Sequence, residues 1–451
     1  MSAHSEPAPP SRRFLGSLAC LALIGLAVRL GYAWLVDLPR GLGDDVWYHE
    51  VAKGLFGGAG FSDPFQSYGP EGPRLGDGAE PRPTAFHPPL FPVLLALFSE
   101  LGLTSYGGHQ AIGCALGAGT VAVIGLAGRR LGGERTGLIA AGIAAVFLPL
   151  VVKDSVMMTE SLYGLLVALV LLAALRLRAS PTAAAAGVLG LVLGLAALTR
   201  GEAFGLALLL APVVVSSGAR RWRNLAVMAA TLVLVVAPWS IRNTLTFDEP
   251  VLVTTVDGSV LAGANLPSTY SGPLMGAWDY KGLFRSRLRT DNEAVQSRRW
   301  RRAALDYAGD HVSRLPAVFA VRIARTWSLY PLDPLDRASF AAFHYKYVRW
   351  IEPISNLLLY AAIVLAIAGG LALRRRRTEL WILLAPVVLV TLVSVFAFGD
   401  PRFRHAADVA LVLLAAVGLE RFLGRLLSRA RARSGGPAPG QAPEGRAPAT
   451  A

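Results

Sequence analysis

Residues 158–177 read MTESLYGLLVALVLLAALRL, a stretch in which only Glu160 and Arg176 are charged. With a rise of about 1.5 Å per residue, a helix of this length crosses the roughly 30 Å hydrocarbon core of a membrane. Lipid cannot satisfy exposed backbone groups, so a helix is the form that such a run takes in a bilayer. This stretch therefore predicts an all-α integral membrane protein.

Nine further apolar runs repeat this pattern and predict a multi-pass bundle. Hydrophobic residues make up 53% of the 451 residues and charged residues only 16%, with a mean hydropathy of +0.47. A soluble chain of this length would carry about 25% charged residues. The runs cover approximately residues 14–36, 108–128, 135–152, 183–199, 202–217, 223–243, 354–373, 378–398 and 403–423.

A shorter run, residues 88–103, decides how the chain is threaded through the membrane. If it is a full span, the clusters of Arg fall on both sides of the membrane. If it is a surface or re-entrant helix on the outer side, every cluster is cytoplasmic, as the positive-inside rule requires. The sequence thus predicts ten spans plus one surface helix, with both termini in the cytoplasm. The clusters are Arg12/Arg13, Arg129/Arg130, Arg176/Arg178, Arg220/Arg221/Arg223, Arg374–Arg377 and Arg425/Arg429.

This threading divides the chain into three parts. Residues 1–13 are predicted to be a disordered cytoplasmic N-terminus, and residues 424–451 a basic and then disordered cytoplasmic tail. The transmembrane domain between them, residues 14–423, carries an outer loop at 37–103 and a long outer segment at 244–353. Apolar residues at helical spacing in residues 291–326 predict amphipathic helices on the membrane surface.

Charge distribution and cysteine content argue against a nucleic-acid partner and against a disulfide or cysteine-based metal site. The formal net charge is +14, but Arg residues cluster at the ends of apolar runs. That placement is typical of topology determinants, so the charge does not indicate a nucleic-acid partner. Cys20 and Cys114 both lie inside apolar runs, which predicts small buried side chains, no disulfide and no metal site from cysteine spacing.

The segment GDDVWYHEVA, residues 43–52, is the strongest local signal for chemistry. It begins a few residues after the first apolar run, so Asp44 and Asp45 lie just outside the membrane. Two adjacent carboxylates near a low-dielectric boundary are candidates for general-base work, because burial would raise the pKa of Asp44 and repulsion by Asp45 would raise it further. Alternatively, one of the two caps the helix that starts near Val46, since Asp is a favoured N-cap.

Further ionisable groups lie where apolar runs meet the outer surface. His87 precedes Pro88 at the start of the short helix, where it is placed to bind phosphate as a cation, hold a metal or hydrogen-bond the loop. Glu160 begins a span close to Asp154, so it either faces a cavity or partner or complements the helix dipole. Arg29, inside the first run, either snorkels outward or pairs with one of these acids.

Basic residues at the outer ends of spans run against the positive-inside rule, so each indicates an anionic partner. Arg binds phosphate through two parallel hydrogen bonds, so the anionic partner that this pattern indicates is a phosphate group. An interfacial anchor is the alternative for any single residue, but several of them on one face favour a shared ligand. The residues are Arg200, Arg242, Arg402 and Arg404.

Several of these positions form an ordered pattern along the chain. An acidic pair, a Tyr and an Ala follow the first span, a Pro-Pro-Leu opens the short helix, Thr-Glu opens a later span, and Arg-Asn precedes the long outer segment. The positions are Asp44, Asp45, Tyr48, Ala52, Pro88-Pro89-Leu90, Thr159-Glu160, Arg242-Asn243 and Asn265. With this pattern, the chain from about residue 14 to residue 423 resembles the GT-C class of membrane glycosyltransferases. More narrowly, it is similar to glycosyltransferase family 39, which includes protein O-mannosyltransferases and the aminoarabinose transferases of lipid A.

The resemblance implies a polyprenyl-phosphate-linked sugar as donor and a hydroxyl group on a lipid, glycan or protein as acceptor. The site would face outward from the plasma membrane. Asp44 would be the catalytic base, with Asp45 in reserve, and polyprenyl phosphate would leave as the anomeric carbon is attacked with inversion. The residues then expected to bind substrate are Tyr48, His87, Glu160, Arg200, Arg242, Asn243, Arg402 and Arg404.

The chain departs from the family pattern at one position that bears on metal binding. The aminoarabinose transferases carry an acidic-basic pair before the Pro of the surface helix, where this chain has Phe86 and His87. The acid on which a metal site would be built there is absent, so the metal stays unknown. A divalent metal is an open option, and no other cofactor is implied.

A transporter or flippase of a lipid-linked sugar is the alternative, because it also needs Arg and acidic residues facing a cavity. A transporter would more often place ionisable residues near the bilayer midplane in broken spans. The long outer segment, the charges at outer helix ends and the lack of a convincing internal repeat favour an enzyme. The intact Asp44 and Asp45 pair argues against a non-catalytic scaffold, and the lack of a Gly-rich phosphate loop argues against a nucleotide-sugar donor.

Overall fold

The computed structural model describes residues 9–35, 43–69, 72–75, 82–285, 292–330 and 351–433. The predicted disorder of residues 1–8 and of the tail from Ser434 onward falls outside these residues. So does the last part of the predicted outer segment, at 331–350.

The described residues form mainly helices. In chain order the elements are α1 (Arg12–Leu35), α2 (Asp44–Phe56), β1 (Ser62–Asp63), β2 (Phe65–Gly69), β3 (Gly72–Leu75), β4 (Arg82–Pro83), α3 (Leu90–Ser99), α4 (Tyr106–Gly132), α5 (Glu134–Val146), α6 (Leu148–Asp154), α7 (Thr159–Ala179), α8 (Ala183–Ala197), α9 (Ala203–Val215), α10 (Arg221–Phe247), α11 (Val256–Ala264), α12 (Pro267–Tyr270), α13 (Tyr280–Arg285), α14 (Glu293–Asp310), α15 (Leu315–Thr326), α16 (Ile351–Leu373), α17 (Arg377–Phe396) and α18 (His405–Arg433).

A helix covers each predicted apolar run, although not every helix is long enough to cross the hydrocarbon core. Within the described residues, six helices have the length and apolar composition of a span, namely α1, α4, α7, α10, α16 and α17. The pair α5 and α6 passes the same test together, and α8 and α9 are shorter apolar helices. The multi-pass helical architecture is thus confirmed, while the count of ten spans stays a prediction.

The predicted span at 135–152 is broken in the structure. The axes of α5 and α6 differ by 57°. Phe147 between them has an extended backbone, and Pro149 stands in the first turn of α6. Proline is tolerated in a first turn, whereas inside a helix it removes a backbone hydrogen bond and favours a kink or a break, so its position in the first turn of α6 fits a helix that starts anew here.

The core of the bundle lies around α7 and the first half of α18. Residues 404–418 are all buried, as is 72% of the apolar window of α7, compared with 22% for α1 and α10, whose apolar faces point outward. Helices α16 and α18 approach closely at Gly369 and Gly418, where any Cβ atom would collide with the carbonyl oxygens of Leu414 and Leu365. Small residues permit such close contact between membrane helices.

The outer loop contains β-structure that the all-α prediction missed. Strand β1 pairs with β4, and β2 pairs with β3, in two antiparallel two-stranded sheets. The run at 88–103 contains the shorter helix α3, and the segment at 291–326 contains the helices α14 and α15. The position of these helices at the membrane surface stays a prediction.

Candidate active site

Helix α2 begins at Asp44, and its N-cap position belongs to Gly43 rather than to either Asp. The backbone of Gly43 is extended, and no side chain caps the helix. Asp44 and Asp45 therefore both stand in the first turn, where carboxylates also complement the helix dipole. The interpretation of either residue as an N-cap is wrong, and both side chains are available for contacts elsewhere.

The guanidinium of Arg402 joins two carboxylates. Its Nη1 atom donates to Asp44 Oδ2 at 3.0 Å, and its Nε atom donates to Glu160 Oε1. Arg402 is placed by a 3-10 turn, Pro401–Arg404, whose N-cap Asp400 accepts a hydrogen bond from the Arg402 backbone N–H at 2.7 Å. The turn thus brings Arg402, three residues before α18, to the N-terminal ends of α2 and α7.

Arg200 extends this ion-pair chain from the connection between α8 and α9. Its Nη1 atom donates to Glu160 Oε1 at 2.9 Å, and its Nε atom donates to Glu202 Oε1 at 3.1 Å. The guanidinium carbon lies 5.7 Å from the ring centroid of Tyr163 and 5.5 Å from that of Phe403, within cation–π range. The order of charges is therefore Glu202, Arg200, Glu160, Arg402 and Asp44.

His87 lies on the other side of Asp44. Its Nε2 atom is 3.5 Å from Asp44 Oδ1, and its ring packs 4.7 Å from Trp47 and 5.1 Å from Tyr48. Burial, followed by the nearby charge of Asp44, raises the pKa of the Tyr48 hydroxyl well above its usual value. In the structure Tyr48 is thus neutral, and its ring lines the site next to Asp44 and His87.

The electrostatics of Asp44 differ from the sequence-based prediction. Burial alone would raise its pKa, but the charges of His87 and Arg402 and their hydrogen bonds outweigh burial and hold the pKa well below its usual range. The predicted increase in pKa is therefore wrong, because the prediction considered Asp45 but not these cations. Asp44 is ionised and paired, yet its side chain keeps 21% exposure, so it remains open to a ligand.

Asp45 faces away from this ion-pair chain. Its Oδ2 atom accepts a hydrogen bond from the Tyr106 hydroxyl at 2.6 Å, and the residue is 5% exposed. Tyr106 is the first residue of α4, so this bond fixes α2 against α4. The structure therefore gives the two neighbouring carboxylates different surroundings.

Arg242 and Asn243 hold the outer loop rather than contacting Asp44. The guanidinium of Arg242 donates to the carbonyl oxygens of Thr84 at 2.8 Å and Phe61 at 3.2 Å, and it lies 4.9 Å from the ring of Trp239. The side-chain oxygen of Asn243 accepts from Arg242 at 3.0 Å. Both residues were expected to bind substrate, and the structure places them in contacts with the protein itself.

Arg404 is also engaged within the protein. It is 3% exposed, and it donates to Asp408 at 3.0 Å and to the carbonyl oxygen of Thr326 at 2.9 Å. Asp408 is also bound by Lys153 at 2.9 Å. These contacts join α6, α15 and α18 next to the 3-10 turn that carries Arg402.

Arg29 pairs with Asp154, which is one of the two explanations that the sequence left open. The two side chains are fully buried and 2.8 Å apart, and His405 Nε2 lies 3.3 Å from the other Asp154 oxygen. Gly117 of α4 makes room for this cluster, because a Cβ atom there would lie 2.6 Å from Asp154 Oδ2. The Asp154 cluster is therefore a buried contact between helices, separate from the contacts of Asp44.

The sequence analysis missed three residues with contacts at or near the site. Glu202 is two residues from Arg200, but the sequence alone did not indicate that the two side chains form an ion pair. Tyr106 carries no signal of its own, because a Tyr at a membrane interface is common. Glu293 binds the segment before His87, from 209 residues away at Thr84, and no local pattern indicates such a contact.

The described part of the chain contains no group of three or more His, Cys, Asp or Glu side chains that could hold a metal. The guanidinium of Arg402 lies between Asp44 and Glu160, so a cation at that position would have to displace it. The divalent metal that the sequence left open stays a prediction.

Comparison with known proteins confirms the resemblance to the GT-C class of membrane glycosyltransferases. Residues 86–241 match the family model described as dolichyl-phosphate-mannose-protein mannosyltransferase. The match covers less than half of the chain; it includes His87, Glu160 and Arg200 but not Asp44 or Arg402. No curated protein sequence matches the chain significantly.

Solved structures show a similar fold at low sequence identity. The archaeal oligosaccharyltransferase AglB from Archaeoglobus fulgidus, in complex with an inhibitory peptide and a dolichol-phosphate, gives a TM-score of 0.55 at 14% identity over 95% of this chain. A crystal structure of the oligosaccharyltransferase of the same organism with Zn and sulfate gives 0.54 at 15% identity over 92% of this chain. The chain spans about half the length of these relatives, 52% and 50%. ArnT from Cupriavidus metallidurans in the apo state gives only 0.38 at 16% identity over 88% of this chain and 77% of its own.

Proposed function

We propose that this protein is a membrane glycosyltransferase. It moves a sugar from a polyprenyl-phosphate donor to a hydroxyl acceptor on the outer face of the plasma membrane, with inversion at the anomeric carbon. Asp44 is the general base, and Arg402 and His87 contact the donor phosphate. The acceptor is a lipid, a glycan or a protein, and the surrounding membrane lipids are the protein's other partners.

The observation that carries this proposal is the position of Asp44 between an imidazole and a guanidinium. His87 Nε2 lies 3.5 Å from one carboxylate oxygen, and Arg402 Nη1 lies 3.0 Å from the other. Such a transfer needs a base for a hydroxyl group and groups that stabilise a phosphate leaving group. The three groups meet just beyond the end of α1 and at the start of α3 and α18, where a lipid-linked donor reaches them from the bilayer.

The resting ion pair suggests an order of events. Arg402 and His87 hold the pKa of Asp44 low, so the resting carboxylate is a weak base. A donor phosphate competes for the Arg402 guanidinium, since Arg binds phosphate through two parallel hydrogen bonds. As Arg402 turns to the phosphate, Asp44 loses a counter-charge and its pKa rises. Donor binding thereby activates the base before the acceptor reacts.

The transfer itself then balances without a further reactant. The acceptor O–H proton moves to Asp44 as the acceptor oxygen attacks the anomeric carbon. The bond between that carbon and the phosphate oxygen breaks, and its electron pair stays on the leaving polyprenyl phosphate. The guanidinium of Arg402 offsets the new charge, and His87 contacts the same phosphate. Attack from the side opposite the leaving group inverts the configuration.

A membrane assay distinguishes this function from transport. Membranes containing the wild-type protein are incubated with polyprenyl phosphates that carry radiolabelled sugars, and the label is followed into delipidated acceptor material. The proposal predicts label in the acceptor with wild type and at least about 100-fold slower labelling with Asp44→Asn. Label that crosses the membrane while it stays on the polyprenyl lipid, in both proteins, would instead support the flippase alternative.

A further inference from the structure

The segment that carries His87 is held by the long outer segment. We call residues 84–87 the strap. The carbonyl oxygen of Thr84 accepts from Arg242 of α10, and the carbonyl oxygen of Ala85 accepts from the Thr255 N–H at 2.9 Å. The Ala85 N–H donates to Glu293 of α14. Successive backbone groups of the strap are thus bound from different elements.

Glu293 is the group on which these contacts converge. Its Oε2 atom accepts from the Thr84 hydroxyl at 2.9 Å. Its Oε1 atom accepts from the Ala85 N–H and from the Thr255 hydroxyl at 3.2 Å. A single carboxylate therefore joins the strap to α14 and to the loop before α11, with a donor for each of these three bonds.

The opposite end of the strap reaches the site. His87 is 7% exposed, and its ring is enclosed by the rings of Trp47 and Tyr48 on α2. Asp44 is the first residue of the same helix. A shift of the strap along its length would therefore change the distance between His87 and Asp44, since α2 itself is fixed to α4 through Asp45.

We infer that Glu293 and Arg242 are positioning residues for the donor site, holding the strap so that His87 lies against Asp44. This inference rests on the proposed function and extends it, because it makes the outer segment part of the site's geometry. Misplacement of a reacting group by about 1 Å can cost about 100-fold in rate. Neither residue contacts substrate; both act through His87.

The test compares Glu293→Ala and Glu293→Gln with a matched control, Glu249→Ala. Glu249 is also an outer-face carboxylate that pairs with α14, through Arg298, but it does not contact the strap. Hydrogen exchange of peptides that span Ala85 is measured together with kcat and KM for the proposed transfer. Arg242→Lys serves as a second probe of the same strap.

In Glu293→Ala, we expect the Ala85 amide to exchange at least about 10-fold faster and kcat to fall about 10- to 100-fold, with a smaller change in KM. Glu293→Gln keeps an acceptor for the Ala85 N–H, so it should restore much of the slow amide exchange and much of kcat. Glu249→Ala should change neither the exchange rate nor kcat. Unchanged exchange at Ala85, or fast exchange with unchanged kcat, would overturn the inference. If the wild-type protein transfers no sugar, the proposed function fails, whereas the exchange result still decides whether Glu293 holds the strap.

Discussion

Arg402 donates to Asp44 and Glu160 at the same time, so its removal changes the charge balance on both carboxylates. In Arg402→Ala, the loss of a charged hydrogen bond to the donor phosphate should lower kcat/KM about 10- to 100-fold. The pKa of Asp44 should also rise, because Arg402 helps to hold it low. Since Asp44 must be ionised to act as a base, the acid limb of the pH profile of kcat/KM should move to higher pH.

The matched control for this prediction is Arg298→Ala. Arg298 is 53% exposed and pairs with Glu249 on the outer face, so its loss should leave both kcat/KM and the pH profile unchanged. An acid limb that stays in place in Arg402→Ala would contradict the role assigned to this ion pair.

A second prediction at the residue scale concerns the glycine beside the Arg29 and Asp154 pair. A Cβ atom at Gly117 would collide with Arg29 and lie 2.6 Å from Asp154 Oδ2, whereas one at Gly119 would meet only Leu165 at an ordinary 3.5 Å. Gly117→Ala should therefore destabilise the protein by about 1–3 kcal/mol, seen as a lower thermal unfolding temperature in detergent. Gly119→Ala on the same helix should not. Equal unfolding temperatures for the two variants would contradict the close packing described here.

The sequence identified charged residues at outer helix ends but not their partners. Asp44, His87, Glu160, Arg200 and Arg402 were expected to act together, and the structure joins them in one set of contacts. Arg242 and Arg404 carry the same signal, yet their guanidinium groups turn to backbone carbonyl oxygens and, for Arg404, to Asp408. Charge and position along a helix predict the face of the membrane at which a side chain lies. Its direction depends on tertiary packing, which one sequence does not reveal.

At the scale of elements, α14 is joined to the outer loop by the carboxyl group of Glu293, whose pKa is raised. Burial raises the pKa of Glu293 to about 7, and Asp63 adds to the increase, while the hydrogen bonds from Ala85, Thr84 and Thr255 oppose it. Arg242 lies on the other side of the strap. An acid whose folded-state pKa exceeds its unfolded value stabilises the fold less as pH rises between the two values.

The fold should therefore lose stability between about pH 4.5 and pH 7 through this group, by at most about 3 kcal/mol. Thermal unfolding of the wild type and of Glu293→Gln is measured across this range. The unfolding temperature of the wild type should fall relative to that of Glu293→Gln as pH rises, because Gln does not ionise. Parallel curves for the two proteins would show that Glu293 does not carry this ionisation.

The elements themselves were largely predictable from the apolar runs, with errors where packing decides. The break at Phe147 lies two residues before Pro149, but a proline alone does not predict a break, since Pro212, Pro238 and Pro386 lie inside continuous helices, so the run at 135–152 was interpreted as one span. The sheet of β1 and β4 escaped prediction because each strand has only two residues and so shows no alternation. Helix α14 was predicted, because its amphipathic pattern continues over several turns.

At the scale of the whole molecule, the proposed outward orientation of the site depends on the membrane topology. In a background of Cys20→Ala and Cys114→Ala, a cysteine at Ser271, in the outer segment, should react with an impermeant reagent added to intact cells. A cysteine at Gly132, at the end of α4 beside Arg129 and Arg130, should react only after the membrane is opened. Labelling of Gly132→Cys from outside would contradict the ten-span prediction.

The central claim is that Asp44 is the base of a sugar transfer at the outer face. It is tested most directly by turnover of purified wild type, Asp44→Asn and Asp45→Asn with a polyprenyl-phosphate sugar and its acceptor, alongside donor binding. The account predicts that Asp44→Asn folds and binds donor but transfers about 100- to 10,000-fold more slowly, since it cannot accept the proton. Asp45→Asn, whose side chain contacts Tyr106, should lose less. Near-normal turnover by purified Asp44→Asn would contradict the account.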